Sequence, residues 1–137
     1  MATKNVIVDN KHFDISYEIV NPTAEKDIIF LHGWGSNKDI MKNVFSPYLS
    51  DFRHIYIDLP GFGKTVNKYP LKTSDYAKIT DEFLKLLNSS KDIIAGHSYG
   101  GKVATLLNPQ NLVLLSSAGI LEEKPFDVKV KIFFAKV

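Results

Sequence analysis

The chain is 137 residues long and 45% hydrophobic, with a formal net charge of +2 and no cysteine; this composition supports a globular domain with a real core and excludes disulfides and thiolate metal sites. All but one of its 17 basic residues are lysines scattered among acids, a solvated surface that leaves no nucleic-acid footprint. No apolar run approaches the length of a membrane span and the N-terminus has no signal-peptide core, so the expectation is a soluble cytoplasmic protein without a membrane partner.

Val6 to Val8 and His12 to Val20 are β-rich runs separated by the turn formers Asp9-Asn10-Lys11, which predicts an opening hairpin. Phe13, Ile15, Tyr17 and Ile19 alternate with polar residues, so one face of the second strand is buried and the other wet; His12 on it reads as a surface residue. The run Asp27 to Leu31 is apolar and β-branched after its first residue, as suits a parallel strand covered on both faces. Ser36 or Asn37 caps a helix whose Ile40, Met41, Val44, Phe45 and Leu49 form an apolar face expected in the core. Ile55-Tyr56-Ile57 reads as a second parallel strand. Thr73 or Ser74, with Asp75, opens the next helix, which carries Tyr76, Ile79, Phe83, Leu86 and Leu87 on one stripe and ends at Asn88-Ser89-Ser90.

From Ile93 to Gly101 the sequence reads Ile-Ile-Ala-Gly-His-Ser-Tyr-Gly-Gly. A strand ending at Gly96 turns sharply into a helix running from about Gly101 to Leu107, and Asn108-Pro109 halts that helix. Ser98 between Gly96 and Gly100 matches the G-x-S-x-G pattern of a nucleophile elbow, where a strained turn lifts the serine hydroxyl clear of the sheet. The glycines allow strand and helix to approach closely. Leu112 to Leu115 is a further buried parallel strand, ending in Ser116-Ser117-Ala118-Gly119. In residues 124–137 the apolar positions fit a strand (Phe126, Val128, Val130, Ile132) or a helix (Phe126, Val130, Phe133, Val137). These elements give an α/β fold: a three-layer α/β/α sandwich around a mostly parallel sheet.

Three pieces in series, Phe30-Leu31-His32-Gly33-Trp34-Gly35, Asp58-Leu59-Pro60-Gly61-Phe62-Gly63 and Gly96-His97-Ser98-Tyr99-Gly100-Gly101, resemble the α/β-hydrolase family over about Asn5 to Gly119. The resemblance implies a serine nucleophile at Ser98 and an oxyanion hole formed by the backbone N–H groups of Trp34 and Tyr99. Gly33, Gly96, His97 and Gly100 would support the elbow and its facing loop, and His32 would brace that loop. Asp58 is read as a local backbone anchor, because in the family's strand order one strand separates it from the elbow. Residues 1–119 would be the N-terminal part of the hydrolase core and residues 120–137 the start of a cap, favouring the helical reading there.

A serine needs a base to take its proton while donors receive the developing oxyanion. In the family the order is serine, acid, histidine, and no histidine follows Ser98; the four present are His12, His32, His54 and His97. The complete fold needs at least roughly 165 residues for its strands, helices and loops. Two readings stand. The chain is a truncated or split serine hydrolase, cleaving an ester, amide or activated carbon–carbon bond of a small-molecule acyl substrate through an acyl-enzyme when complete and turning over little alone. Alternatively it is a non-catalytic remnant acting as a binding or interaction module. Neither calls for a metal or cofactor. Both leave an apolar strand, Leu112 to Ser116, exposed to self-association or to pairing with a missing C-terminal half.

Overall fold

Asp9 and Asn10, at φ values of 51° and 61°, turn the chain between β1 (Ala2–Val8) and β2 (Lys11–Val20). Positive φ at both turn residues matches the right-handed twist of the flanking strands, and short polar side chains tolerate it best. The hairpin is antiparallel, with Val8 opposite Lys11 and Val6 opposite Phe13. In this computed structural model, which describes residues 1–116, the hairpin flanks a parallel core. β2 pairs antiparallel with β4 (Phe52–Ile57). Beyond that β4, β3 (Lys26–Leu31), β5 (Ile93–His97) and β6 (Asn111–Leu115) run parallel. The sheet order is β1-β2-β4-β3-β5-β6.

One sheet face packs Val6, Ile15, Ile29, Leu31, Ile55, Ile57 and Ile94 against Tyr76, Ile79 and Phe83 of α2 (Thr73–Leu86) and Val103 and Ala104 of α3 (Tyr99–Leu106). The other packs Ile28, Phe30, Tyr56 and Ala95 against Met41 of α1 (Lys38–Phe45). Odd and even strand positions thus feed opposite layers, the period-two consequence of the pleat, and the three-layer α/β architecture is as expected. The α1 layer holds a stack: the Phe30 ring lies 4.9 Å from Tyr56 and 4.8 Å from Phe45. Burying one such side chain contributes about 1.5–3 kcal/mol.

Two expectations about helix faces need correction. Ile40, Val44 and Leu49 are not core but exposed. Met41 and Phe45 sit four residues apart on the sheet-facing side of α1, and Ile40 and Val44, also four apart, occupy the neighbouring face that no described element covers. In α2, Leu86 is exposed while Ala77, Thr80 and Leu84 are buried; the helix is packed by both β1 and α3, which turns its buried arc that way.

Helix starts are chemically marked. Asn37 Oδ1 accepts the Asp39 and Ile40 N–H groups, choosing Asn37 over Ser36 as cap. At α2 the Asp75 carboxylate accepts the Lys72 N–H at 2.8 Å. The strand starts are bolted too. Asp27 accepts Arg53 Nε at 2.7 Å and Nη2 at 2.8 Å, and its own N–H donates to the Asp92 carboxylate, tying the N-terminal ends of β3, β4 and β5. The cap expectation for residues 120–137, and its choice between strand and helix, lies outside the described residues.

Candidate active site

The parallel strands β3 and β5 are neighbours, with Leu31 opposite Gly96, so the loops leaving their C-terminal ends face each other. β5 runs one residue further than expected, to His97, and α3 begins at Tyr99. Between them Ser98 has φ 51° and ψ −117°. Positive φ at a serine costs on the order of 1–3 kcal/mol and persists only where the surroundings enforce it. What enforces it is close packing. A Cβ on Gly96 would stand 2.5 Å from the Gly100 carbonyl oxygen and from Gly101 Cα, and one on Gly100 would stand 2.2 Å from the Leu31 carbonyl oxygen. Strand and helix therefore meet backbone to backbone. Ser98 N–H donates to Leu115 O of β6 at 3.0 Å, fixing the elbow from its other side.

The loop after β3 lies directly against the elbow. A Cβ on Gly33 would be 3.3 Å from Ser98 Cβ and 3.1 Å from His97 Nδ1. Trp34 follows, 64% exposed, with its ring edge-on to Phe62 at 4.7 Å and Tyr99 at 5.1 Å. Tyr76 closes this aromatic group, 5.8 Å from Tyr99. Among the described residues, neither the Trp34 nor the Tyr99 backbone N–H has a protein acceptor. Tyr99 opens α3, where N–H groups are free by helix geometry and the helix dipole favours negative charge.

His32 is fully buried, and its two nitrogens are both occupied. Nδ1–H donates to the Gly33 carbonyl at 2.7 Å and Nε2 accepts the Leu59 N–H at 3.0 Å, a pattern only the neutral ring can make. Burial, chiefly, holds its pKa below the ordinary histidine value. It ties the β3 loop to the loop after β4. Asp58 anchors that second loop: its carboxylate accepts Lys38 N at 2.7 Å, Lys38 Nζ at 2.9 Å and Lys64 N at 3.0 Å. The expected local role of Asp58 is thus what the structure has, and β3 does stand between its strand and the elbow strand. The sequence reading missed Lys38, whose side chain is 2% exposed. A lysine in the first turn of an amphipathic helix reads as surface, and only its buried acid partner reveals it.

His54 and His12 are engaged elsewhere. His54 donates from Nε2 to Leu49 O at 2.9 Å and accepts from the Tyr56 hydroxyl at 2.7 Å, while His12 pairs with Asn5. His97 is exposed beside Gly33. Among the described residues no histidine is hydrogen-bonded to Ser98, and no group of acids and histidines could hold a metal ion. No described helix is long and apolar enough to cross a membrane. A groove of about 460 Å³ lies between α2 and the far end of α3, lined by Ala77, Asp81, Lys91 and Leu107 among others, with none of the elbow residues.

A family model described as the alpha/beta hydrolase family matches residues 28–135. A pimeloyl-(acyl-carrier protein) methyl ester esterase from Wigglesworthia glossinidia brevipalpis is 33% identical over 104 residues, 72% of this chain and 39% of that protein. Among solved structures, a membrane phospholipase A aligns with a TM-score of 0.78 at 23% identity, over 90% of this chain and 42% of that one. An esterase from Thermogutta terrifontis aligns at 0.73 and 17% identity, over 90% of this chain and 48% of that one; likenesses at such identity speak for the fold. The chain spans between 28% and 41% of the length of these curated relatives.

Proposed function

Since the chain belongs to the alpha/beta hydrolase family, we propose that it carries the nucleophile and oxyanion hole of an esterase, with Ser98 attacking an acyl carbonyl and the Trp34 and Tyr99 N–H groups receiving the oxyanion. The observation that carries this reading is the backbone of Ser98, at φ 51° and ψ −117° between glycines packed without room for a side chain. A turn strained in this way aims the hydroxyl away from the sheet. Attack forms a bond from Ser98 Oγ to the acyl carbon as the serine proton passes to a base that no described residue supplies, or to hydroxide; collapse of the tetrahedral intermediate then breaks the bond to the leaving oxygen, which takes up a proton and departs as the alcohol. Each oxyanion donor contributes on the order of 3 kcal/mol to that step. Gly33, Gly96 and Gly100 supply the close approach, while His32, placed as a neutral bolt, is a brace and not a base.

The substrate class supported by the named relatives is an ester of an acyl chain, such as the methyl ester of a carrier-bound acyl group. Trp34, Phe62, Tyr76 and Tyr99 give that acyl chain an apolar aromatic wall. The general base and its acid are not supplied by any described residue, so the 137-residue chain alone turns over slowly. A second reading is a binding module that keeps the elbow without catalysis; the engagement of His12, His32 and His54 away from Ser98 favours it. β6, outermost in the described sheet, offers an uncharged edge through which the chain pairs with a second copy or another segment.

Exposure to a fluorophosphonate followed by peptide mass spectrometry separates the two readings. The nucleophile reading expects a single adduct, on Ser98, absent from Ser98→Ala. A protein that takes no label at Ser98 under alkaline conditions is a binding module.

A further inference from the structure

Trp34 and Tyr99 lie on separate loops, and among the described residues no backbone hydrogen bond joins residues 33–35 to residues 97–99. Backbone packing of Gly100 against the Leu31 and His32 carbonyls brings the two loops together, and side-chain contacts refine their relative position. The Tyr99 ring stands edge-on to Trp34 at 5.1 Å and to Tyr76 at 5.8 Å, and its hydroxyl shares a 2.8 Å hydrogen bond with Thr73 Oγ1. Thr73 and Tyr76 are three residues apart on α2, hence on one helix face. That face is a fixed reference, since Tyr76 is buried and the helix start is pinned by Asp75.

We infer that Thr73 and Tyr99 form a positioning pair, in which the α2 hydroxyl holds the Tyr99 ring against Trp34 and so sets the separation of the two N–H donors of the oxyanion hole. The inference rests on the reading of Ser98 as nucleophile. Without the Thr73 contact the Tyr99 ring keeps its packing but loses the one side-chain hydrogen bond it makes among the described residues. The ring can then pivot about χ1 and χ2, and Trp34, which among the described residues otherwise meets the rings of Phe62 at 4.7 Å and Tyr76 at 6.3 Å, follows it. Donors serve an oxyanion only when held within about 0.5 Å of the productive geometry. Neither side chain touches the reacting atoms in this account. Thr73→Val and Tyr99→Phe both keep the ring that lines the acyl wall, so the loss expected from them falls on the chemical step.

The test uses phosphonylation of Ser98 at alkaline pH: Ser98 Oγ forms a bond to phosphorus, the P–F bond breaks, fluoride leaves and hydroxide takes the serine proton. Saturation kinetics give a maximal rate and a half-saturation concentration for the wild type, Thr73→Val, Tyr99→Phe, their double variant and Thr73→Ser. Each single variant is expected to lower the maximal rate roughly threefold to tenfold, the span of one neutral hydrogen bond, with half-saturation unchanged. The double variant should lose no more than either single one, and Thr73→Ser should recover the wild-type rate. Unchanged maximal rates, additive losses, or a rate loss that tracks a fall in thermal midpoint would overturn the pair as a positioning device. A wild type that takes no label at Ser98 overturns the nucleophile reading and this inference with it; labelling that is equal in all variants overturns the inference alone.

Discussion

Gly100 sits on the carbonyl end of β3, where a Cβ would stand 2.2 Å from the Leu31 oxygen and 2.6 Å from that of His32. The elbow is therefore wedged against two strands, its own and the neighbour that carries the facing loop. Gly100→Val drives a branched side chain into backbone that no rotamer can avoid. It should destabilise the fold by about 3 kcal/mol or more, with the cost shown as a lowered urea midpoint. A soluble Gly100→Val protein with the wild-type midpoint would contradict the elbow geometry.

The Lys38–Asp58 pair should respond asymmetrically. Asp58→Ala leaves the buried Lys38 ammonium, among the described residues, with only the exposed Asp39 carboxylate at 3.9 Å and frees the Lys38 and Lys64 N–H groups, at an expected cost of about 3–5 kcal/mol. Lys38→Met removes one charge and leaves Asp58 with its two backbone donors, so the loss should be smaller. Denaturant titration of both variants measures the difference, and equal losses would mean that the backbone donors do nothing for Asp58.

His32 gives a pH signature. Its folded pKa lies below the ordinary value, chiefly through burial, so the unfolded chain binds its proton first. The stability this group contributes is fully present above the unfolded value of about 6.5 and is lost as pH falls from there through the lowered folded pKa. Protonation would also turn Nε2 into a donor facing the Leu59 N–H donor. Stability measured from neutral to acid pH should fall more steeply in the wild type than in His32→Gln. Parallel curves would show that His32 does not titrate across that window.

Much of this arrangement was legible in the sequence, because local chemistry and packing agree. The hairpin turn at Asp9-Asn10, the alternation in β2 and the continuous apolar run of β3 each admit one structure, and the elbow serine stands where its glycines put it. The misreadings have a common cause. Ile40 and Val44 satisfy helix periodicity as well as Met41 and Phe45 do, and periodicity alone cannot say which of two adjacent faces meets the sheet. The contacts of Lys38, Thr73 and Phe62 were not legible because each depends on a partner distant in sequence: Asp58, Tyr99 and Trp34.

The β6 edge, from Leu112 to Leu115, has no charge or proline, and such an edge invites pairing. The full chain is expected to run as a dimer or larger species in light scattering at micromolar concentration. A monodisperse monomer would mean that this edge is covered within the chain itself.

Intact-mass analysis after incubation with p-nitrophenyl acetate tests the proposal that Ser98 is a nucleophile for which no described residue supplies a base. Deacylation needs a base as much as acylation does, so slow release of one equivalent of p-nitrophenol is expected, with an acetyl group retained on Ser98 and none on Ser98→Ala. Sustained turnover with no retained acetyl group, or acetylation confined to lysines and identical in Ser98→Ala, would contradict it.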